Sequence, residues 1–208
     1  MGDVLNDTRD RIIGAAAELF KRHGYSGTGL KQISQDSSAP FGSLYHFFPG
    51  GKDELTAEAL RWSGLGYQLI VEAVFDSAPD LLTGLRDCFA GAAEVLVATD
   101  FADACPIETV ALEVASTNEP LRLVTADIFD SWIRAITARG EAAGLAPDVA
   151  REIGIAFIAA LEGAFVLARG LKSTEPMYAA ASATVAAATA ALEQSKPAKS
   201  RKRGDYEA

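Results

Sequence analysis

The chain has 208 residues and a net charge of −9 at pH 7, enough length to bury its own core without disulfide or metal staples. Alanine runs such as Ala15-Ala16-Ala17 and Ala179-Ala180-Ala181 recur, while aromatic and β-branched residues never alternate as in strands, so the chain reads as all-α. Two histidines, His23 and His46, are too few for most catalytic triads or histidine metal sites, and Cys88 and Cys105 lack CxxC spacing and read as reduced thiols; no metal or cofactor is expected.

The opening segment MGDVLNDTRDR is acidic and polar, unlike a signal peptide. A first helix is predicted from about Thr8, with Ile12, Ala16, Leu19, Phe20 and the ring of His23 on one face and Gly24 as its stop. A second follows Thr28 as N-cap, turns Leu30 and Ile33 inward and breaks at Ser37-Ser38-Ala39-Pro40. A third runs from Phe41 to Phe47 before Pro49-Gly50-Gly51. A fourth opens at Lys52 or Asp53 with a long stripe of Leu55, Ala59, Trp62, Gly66, Leu69 and Ala73. Amphipathic segments follow at roughly 80–99, 106–115, 119–143, 148–170 and 175–194, separated by Cys105-Pro106, Asn118, Gly144, Pro147-Asp148 and Gly170. The most apolar stretch, Gly154 to Ala168, reads as too short for a bilayer and is interrupted by Glu162, which implies a soluble cytoplasmic protein. From Ser195 to Arg203 five basic residues and no core-formers predict a disordered tail, which either attracts DNA loosely or solubilises the terminus.

Two short helices braced by a preceding one predict a helix-turn-helix over residues 28 to 48. The acidic total is the wrong sign for a nucleic-acid binder, but it belongs mostly to the second part: residues 1 to 62 hold seven Lys/Arg against eight Asp/Glu, and the remainder twelve against twenty. Pattern alone equally fits a helical hairpin in which Leu30, Ile33, Ala39 and Leu44 are only core. The string Gly42-Ser43-Leu44-Tyr45-His46-Phe47-Phe48, with Lys52 after it and Ala16-Glu18-Leu19-Phe20, Gly24-Tyr25 and Gly27-Thr28 ahead, closely resembles the TetR family. Phe48-Pro49-Gly50-Gly51-Lys52 and Cys105-Pro106-Ile107, followed by Val110-Ala111-Leu112-Glu113, look like its LmrA/YxaF-type branch, whose members commonly regulate efflux or detoxification genes. The resemblance implies a helix-turn-helix domain over 1–52, a helical effector-binding and dimerisation domain over 53–194 and the tail over 195–208.

In that setting Thr28 and the first amides of its helix would meet a phosphate, with Lys31 as a further contact. Gly42 and Ser43 would approach base edges, Tyr45 a thymine methyl or phosphate, and His46 and Lys52 phosphates. Many relatives carry lysine where this chain has Phe41, and the usual glycine of the turn is replaced around Ser37-Ser38; either Phe41 stacks on sugar or a thymine methyl, or the protein binds weakly and leans on its basic tail. Taken singly, Tyr45 also fits a half-buried core aromatic, His46 a surface histidine and Lys52 a solvated charge; Leu44, Phe47 and Phe48 read as core.

The resemblance implies a homodimer built from the last two long helices, whose Ala156, Ala159, Ala160, Gly163 and Ala164 permit close packing. Phe89, Phe129, Trp132, Ile133, Phe157 and Phe165 are placed around an apolar cavity. Glu108, Glu113 and Glu162 interrupt apolar helices, which points to an effector that is apolar, cationic or carries a hydrogen-bond donor. The implied partners are operator DNA and a small molecule that releases it by shifting the population of DNA-competent conformers. An enzyme is a competing class without a catalytic constellation. A ligand-binding or scaffold dimer with a weakened DNA head is another, supported by Phe41 and the acidic charge.

Overall fold

Most helix starts fall where a capping residue, glycine or proline stands. The computed structural model describes residues 2–195, with side chains from residue 7 onward; the predicted basic tail after Ser195 lies outside the described residues. These residues form α1 (Gly2–His23), α2 (Leu30–Asp36), α3 (Phe41–Phe47), α4 (Lys52–Ser77), α5 (Leu81–Ala98), α6 (Pro106–Val114), α7 (Glu119–Ala142), α8 (Pro147–Leu171) and α9 (Glu175–Gln194). Asp80 caps α5 by accepting from the Thr83 amide at 2.8 Å, and Asn118 caps α7 by accepting from Leu121 at 3.1 Å. Proline stands in the first turn of α6 to α9, where its missing N–H removes no helix bond.

α7 packs along α8 and α8 along α9, α5 lies against α9, and α1 rests on α4 and α6. One hydrophobic core runs through all of them, from Ile12 and Phe20 past Phe48, Leu55 and Phe89 to Trp132, Phe157 and Met177. Cys88 and Cys105 are buried free thiols within it.

Several predicted details are corrected by packing. The N-cap of α2 is Gly29, and the buried Thr28 instead turns its hydroxyl inward to donate to the Gly24 carbonyl at 2.8 Å. His23 points outward. On α4, Leu55 and Ala59 are buried, but Trp62, Gly66, Leu69 and Ala73 face solvent, while Leu60, Ser63, Gly64 and Phe75 face the core. The predicted stripe repeats every 3.5 residues, and a straight helix drifts off such a stripe by about 20° per heptad. α7 then fixes the buried face: Trp132 Nε1 donates to the Gly64 carbonyl at 2.9 Å, and a Cβ at Gly64 would meet Ile128 at 2.7 Å.

α8 also departs from expectation. It runs unbroken for 25 residues and is the one helix among the described residues long and apolar enough, by length and composition, to cross a membrane. Pro147 starts this helix and Gly170 does not end it; the end comes at Lys172, with φ +50°.

The turn between α2 and α3 lacks glycine, yet Ser38 adopts φ +52°. Local bonds hold it there: Ser34 Oγ donates to the Ala39 carbonyl at 2.7 Å, and Arg11 donates to that of Ser37 at 3.0 Å. Because a left-handed residue with a Cβ is disfavoured by about 1–2 kcal/mol and glycine loses only about half of that in chain entropy, Ser38→Gly is expected to stabilise the protein. A rise of about 1–3 °C in thermal midpoint is the expected size; a lower midpoint would mean that the Ser38 side chain contributes more than its backbone loses.

Candidate nucleic-acid interface and ligand cavity

α3 is a two-faced helix. Leu44 and Phe48 are buried against α2 and α4, and Phe47 is half-buried. The opposite side presents Phe41 and Tyr45, 47% and 51% exposed, with ring centroids 5.8 Å apart and edge to face. Between them Gly42 opens to free space, since a Cβ there would meet nothing within 4 Å. Ser43 is half-buried and His46 exposed, its ring edge-on to Phe47 at 4.9 Å. Lys31 on α2 is exposed and forms no ion pair among the described residues.

Two residues predicted for this face belong elsewhere. Thr28 is buried, as above. Lys52 donates to the Tyr25 carbonyl at 2.6 Å and sits 4.1 Å from the centroid of the Tyr25 ring, where desolvation lowers its pKa. Its ammonium is built into the support of the head because α4 begins directly beneath the turn between α1 and α2.

That turn is clamped from below. Glu113, at the end of α6, accepts from the Tyr25 amide at 2.8 Å and from the Ser26 amide at 2.7 Å. Burial pushes the Glu113 carboxyl up, but the hydroxyl and amide of Ser26, the Tyr25 amide and nearby Lys52 outweigh it, so the group lies below its ordinary range. Gly24 makes room: its φ is +68°, and a Cβ there would overlap the Glu113 carboxylate. The Tyr25 hydroxyl bonds to Asp53, whose other oxygen accepts from the Asn118 side chain at 2.8 Å. Burial, reinforced by Asp53, pushes the Tyr25 phenol up to about 12. Sequence reasoning noticed Glu113 as a carboxylate in an apolar helix but connected it with the effector; the unpaired amides of a Gly-Tyr-Ser-Gly turn were the available signal.

An apolar cavity of about 60 Å³ lies between α4, α7 and α8, with Cys105 at one end. Trp132, Phe157, Glu162 and Phe165 line it as predicted, joined by Tyr67, Gln68 and Val71 of α4, which sequence reading missed. Phe89 does not reach it: the ring is fully buried behind Phe157, edge-on at 5.4 Å. Phe129 backs Trp132 at 5.7 Å from outside, and Ile133, one residue past Trp132, also turns away from the lining. Glu108 opens instead into a surface depression with Phe101, Leu112 and Arg169, because it stands on the outer side of α6.

Glu162 is the acidic side chain in the cavity lining. Its Oε2 is buried without a hydrogen-bond partner among the described residues. Burial pushes its pKa up to about 7, against the pull of hydrogen bonding from Cys105 and with a smaller push from Glu108. The same burial raises the Cys105 thiol.

α8 and α9 leave a second apolar surface uncovered. Ile155, Val166, Leu167 and Tyr178 are 45 to 57% exposed, and Ala156, Ala159, Gly163, Ala183 and Ala187 are exposed among them. Ala160 and Ala164 turn into the protomer, so the predicted small-residue stripe divides between an inner and an outer face.

A helix-turn-helix head clamped onto a helical body with an apolar cavity defines the class as a DNA-binding regulator. Residues 12–59 match the profile "Bacterial regulatory proteins, tetR family", and residues 82–183 match "Transcriptional regulator LmrA/YxaF-like, C-terminal domain". The HTH-type transcriptional regulator YxaF of Bacillus subtilis is 33% identical over 82% of this chain and 90% of its own, and LmrA of the same organism is 29% identical over 82% and 91%. Among solved structures, a TetR transcriptional regulator from Chloroflexus aurantiacus superposes with a TM-score of 0.75 at 26% identity, covering 90% of this chain and 96% of that one. The TetR-family regulator CifR, solved with a 26-base-pair operator duplex, shares the fold with a TM-score of 0.73 at 22% identity, over 85% and 94%. The chain belongs to the TetR family, within its LmrA/YxaF-like branch, and is a DNA-binding transcriptional regulator.

Proposed function

We propose that the protein is a cytoplasmic repressor that binds a palindromic operator as a homodimer through α3 of each protomer and is released when a small molecule occupies the central cavity. The observation that carries this reading is the outward face of Phe41, Gly42, Tyr45 and His46 on a helix whose other side is locked by Leu44 and Phe48. Residues 1–52 serve as the reading head and 53–194 as the sensing and pairing body, with Lys31 and Ser43 as flanking contacts. Two heads engage half-sites about 34–36 Å, or a multiple of that, apart, and α8 with α9 supplies the pairing surface. Effector and operator favour different conformers, so each weakens the other by the same factor. CifR, on the same fold, is solved in complex with operator DNA, which supports operator binding.

The test is selection from a random duplex pool with the purified full chain at moderate salt. Enrichment of one palindrome is expected. Failure to enrich any motif with folded dimeric protein would sink the reading and favour a ligand-binding dimer with a weakened head, an alternative motivated by Phe41 and by the commitment of Lys52 to Tyr25.

Phe41 gives a sharper check. Replacing an exposed ring by a cation on the DNA-facing side adds one phosphate contact, so Phe41→Lys is expected to tighten operator binding at low salt. The plot of log affinity against log salt should steepen by about 0.9. An unchanged slope, with binding intact, would place residue 41 away from the backbone.

A further inference from the structure

At about 60 Å³ the cavity is far below the roughly 300–1,000 Å³ of sites that enclose drug-sized ligands. On the other side of Tyr67 lies a groove of about 370 Å³, with Ala17, Glu18 and Lys21 of α1 on one wall and Trp62, Gly66 and Ile70 of α4 on the other. Tyr67 belongs to both linings. Its half-buried ring leans edge-on against Trp132 at 6.4 Å, and its hydroxyl makes no hydrogen bond among the described residues. The acids around that hydroxyl include Glu18 on the groove side and Glu162 on the cavity side; burial first, then Cys105 and these acids, raise its pKa. One side chain, packed against the core with its ring edge-on to Trp132, therefore borders both spaces. Rotation of such a ring is a side-chain motion that needs no rearrangement of helices.

The two spaces differ in chemistry. The cavity ends on the unpartnered Oε2 of Glu162 and has no lysine or arginine in its wall, so an anionic head is disfavoured there and a donor is wanted. The groove is apolar along α4, with Leu65, Leu69 and Ile70 57 to 60% exposed, a contiguous face of the kind that marks binding surfaces, while Glu18 and Lys21 pair with each other on the α1 wall.

We infer that cavity and groove are two halves of one site for an elongated amphipathic ligand: a head carrying N–H or O–H donors, cationic or neutral, meets Glu162, and an apolar body passes Tyr67 into the groove between α1 and α4. This rests on the effector reading above and deepens it. An occupant of the groove touches α1, which braces the helix-turn-helix, so the ligand acts on the head directly as well as through α6.

The protein's two tryptophans report the two halves separately, because Trp132 lines the cavity and Trp62 the groove. The probes are straight-chain primary amines from hexylamine to dodecylamine, with carboxylates and alcohols of equal length as controls, all below their micelle concentrations. In full-length Trp62→Phe protein, Trp132 emission should respond to every amine that binds. In Trp132→Phe protein, Trp62 should respond only to the longer ones; if that variant folds poorly, the difference between wild type and Trp62→Phe gives the same signal. Affinity should rise about three- to fourfold per methylene until the groove is filled. Leu69→Gln with Ile70→Gln should remove the long-chain advantage and leave hexylamine unchanged. Glu162→Gln should weaken amines about tenfold and leave alcohols unchanged. A silent Trp62 with a responsive Trp132, or affinity independent of length, would confine the ligand to the cavity and overturn the two-part site. Carboxylates binding as well as amines, or no binding by any probe, would overturn the head. Trp62 emission that changes with protein concentration alone would assign the groove to a second copy and overturn the ligand. Probes that bind as expected without changing operator affinity would remove the effector reading and leave the two-part site standing.

Discussion

Gly163→Arg is expected to give a folded monomer that has lost tight operator binding. Gly163 is exposed on the outer face of α8, and a Cβ built there meets nothing within 4 Å. Replacing an exposed mid-helix glycine also improves helix propensity by up to about 1 kcal/mol, so the protomer should not unfold. In a two-fold interface the substitution occurs twice, and each unpaired buried charge is worth about 3–5 kcal/mol against association. At about 1.4 kcal/mol per tenfold, the dimer constant should fall by at least about ten-thousandfold. Sedimentation velocity would give a single monomeric species with unchanged helical circular dichroism, and operator affinity would drop to that of one half-site. A dimer that survives this change would move the pairing surface away from α8 and leave its exposed Ile155, Val166 and Leu167 without an assigned role.

Locally encoded features were legible before the fold. α3 runs from Phe41 to Phe47 as predicted, because Pro40 and Pro49 delimit it and no distant contact can move those limits. Facing was not legible to the same degree. Leu55 and Ala59 indicated the right side of α4, but the helix meets α1 at one end and α7 further along, and Trp132 and Ile128 choose the face that is buried there. The same reason explains the cavity. Trp132, Glu162 and Phe165 stood out as aromatic or acidic residues in apolar helices, whereas Tyr67 and Gln68 line it only because the inner face of α4 is shifted from its apparent stripe. Thr28 shows a second limit: a hydroxyl before a helix satisfies the capping pattern, yet here the chain passes inward and the hydroxyl closes the end of α1. Lys52 followed the family's motif, but its partner, Tyr25, lies 27 positions earlier.

Glu162 carries a pH signature that separates it from the clamp. Its carboxyl is pushed up to about 7 in the folded protein, above the unfolded value of about 4.3. The folded state therefore resists its ionisation and loses stability as pH rises from the unfolded value through the folded one. Glu162→Gln is expected to stabilise the protein above pH 7 and to have little effect near pH 4, checked by thermal unfolding across that range. An equal effect at both ends would show that the carboxyl ionises freely in the fold.

Glu113→Ala is expected to uncouple the reading head from the effector and to lower stability by about 2 kcal/mol, the size of a charge-assisted hydrogen bond. The carboxylate joins the end of α6 to the amides of Tyr25 and Ser26, while the residue before that helix, Cys105, lines the cavity. α6 has nine residues, too short and too regular to absorb a shift at one end without passing it to the other. With the clamp removed, effector should still bind, but the factor by which it weakens operator binding should fall toward one from the roughly 5- to 150-fold typical of such coupling. Glu113→Gln, which keeps one carbonyl acceptor, should lie between. Because the folded carboxyl is held below its unfolded value, its contribution is present above about pH 4.3 and disappears as pH falls through the folded value, so wild type and Glu113→Gln should converge in acid. Titrating operator binding with and without effector in the three proteins checks the coupling. An effector response equal to wild type in Glu113→Ala, despite the lost stability, would reduce the clamp to a structural tie and leave the contact of α1 with α4 as the route between cavity and head.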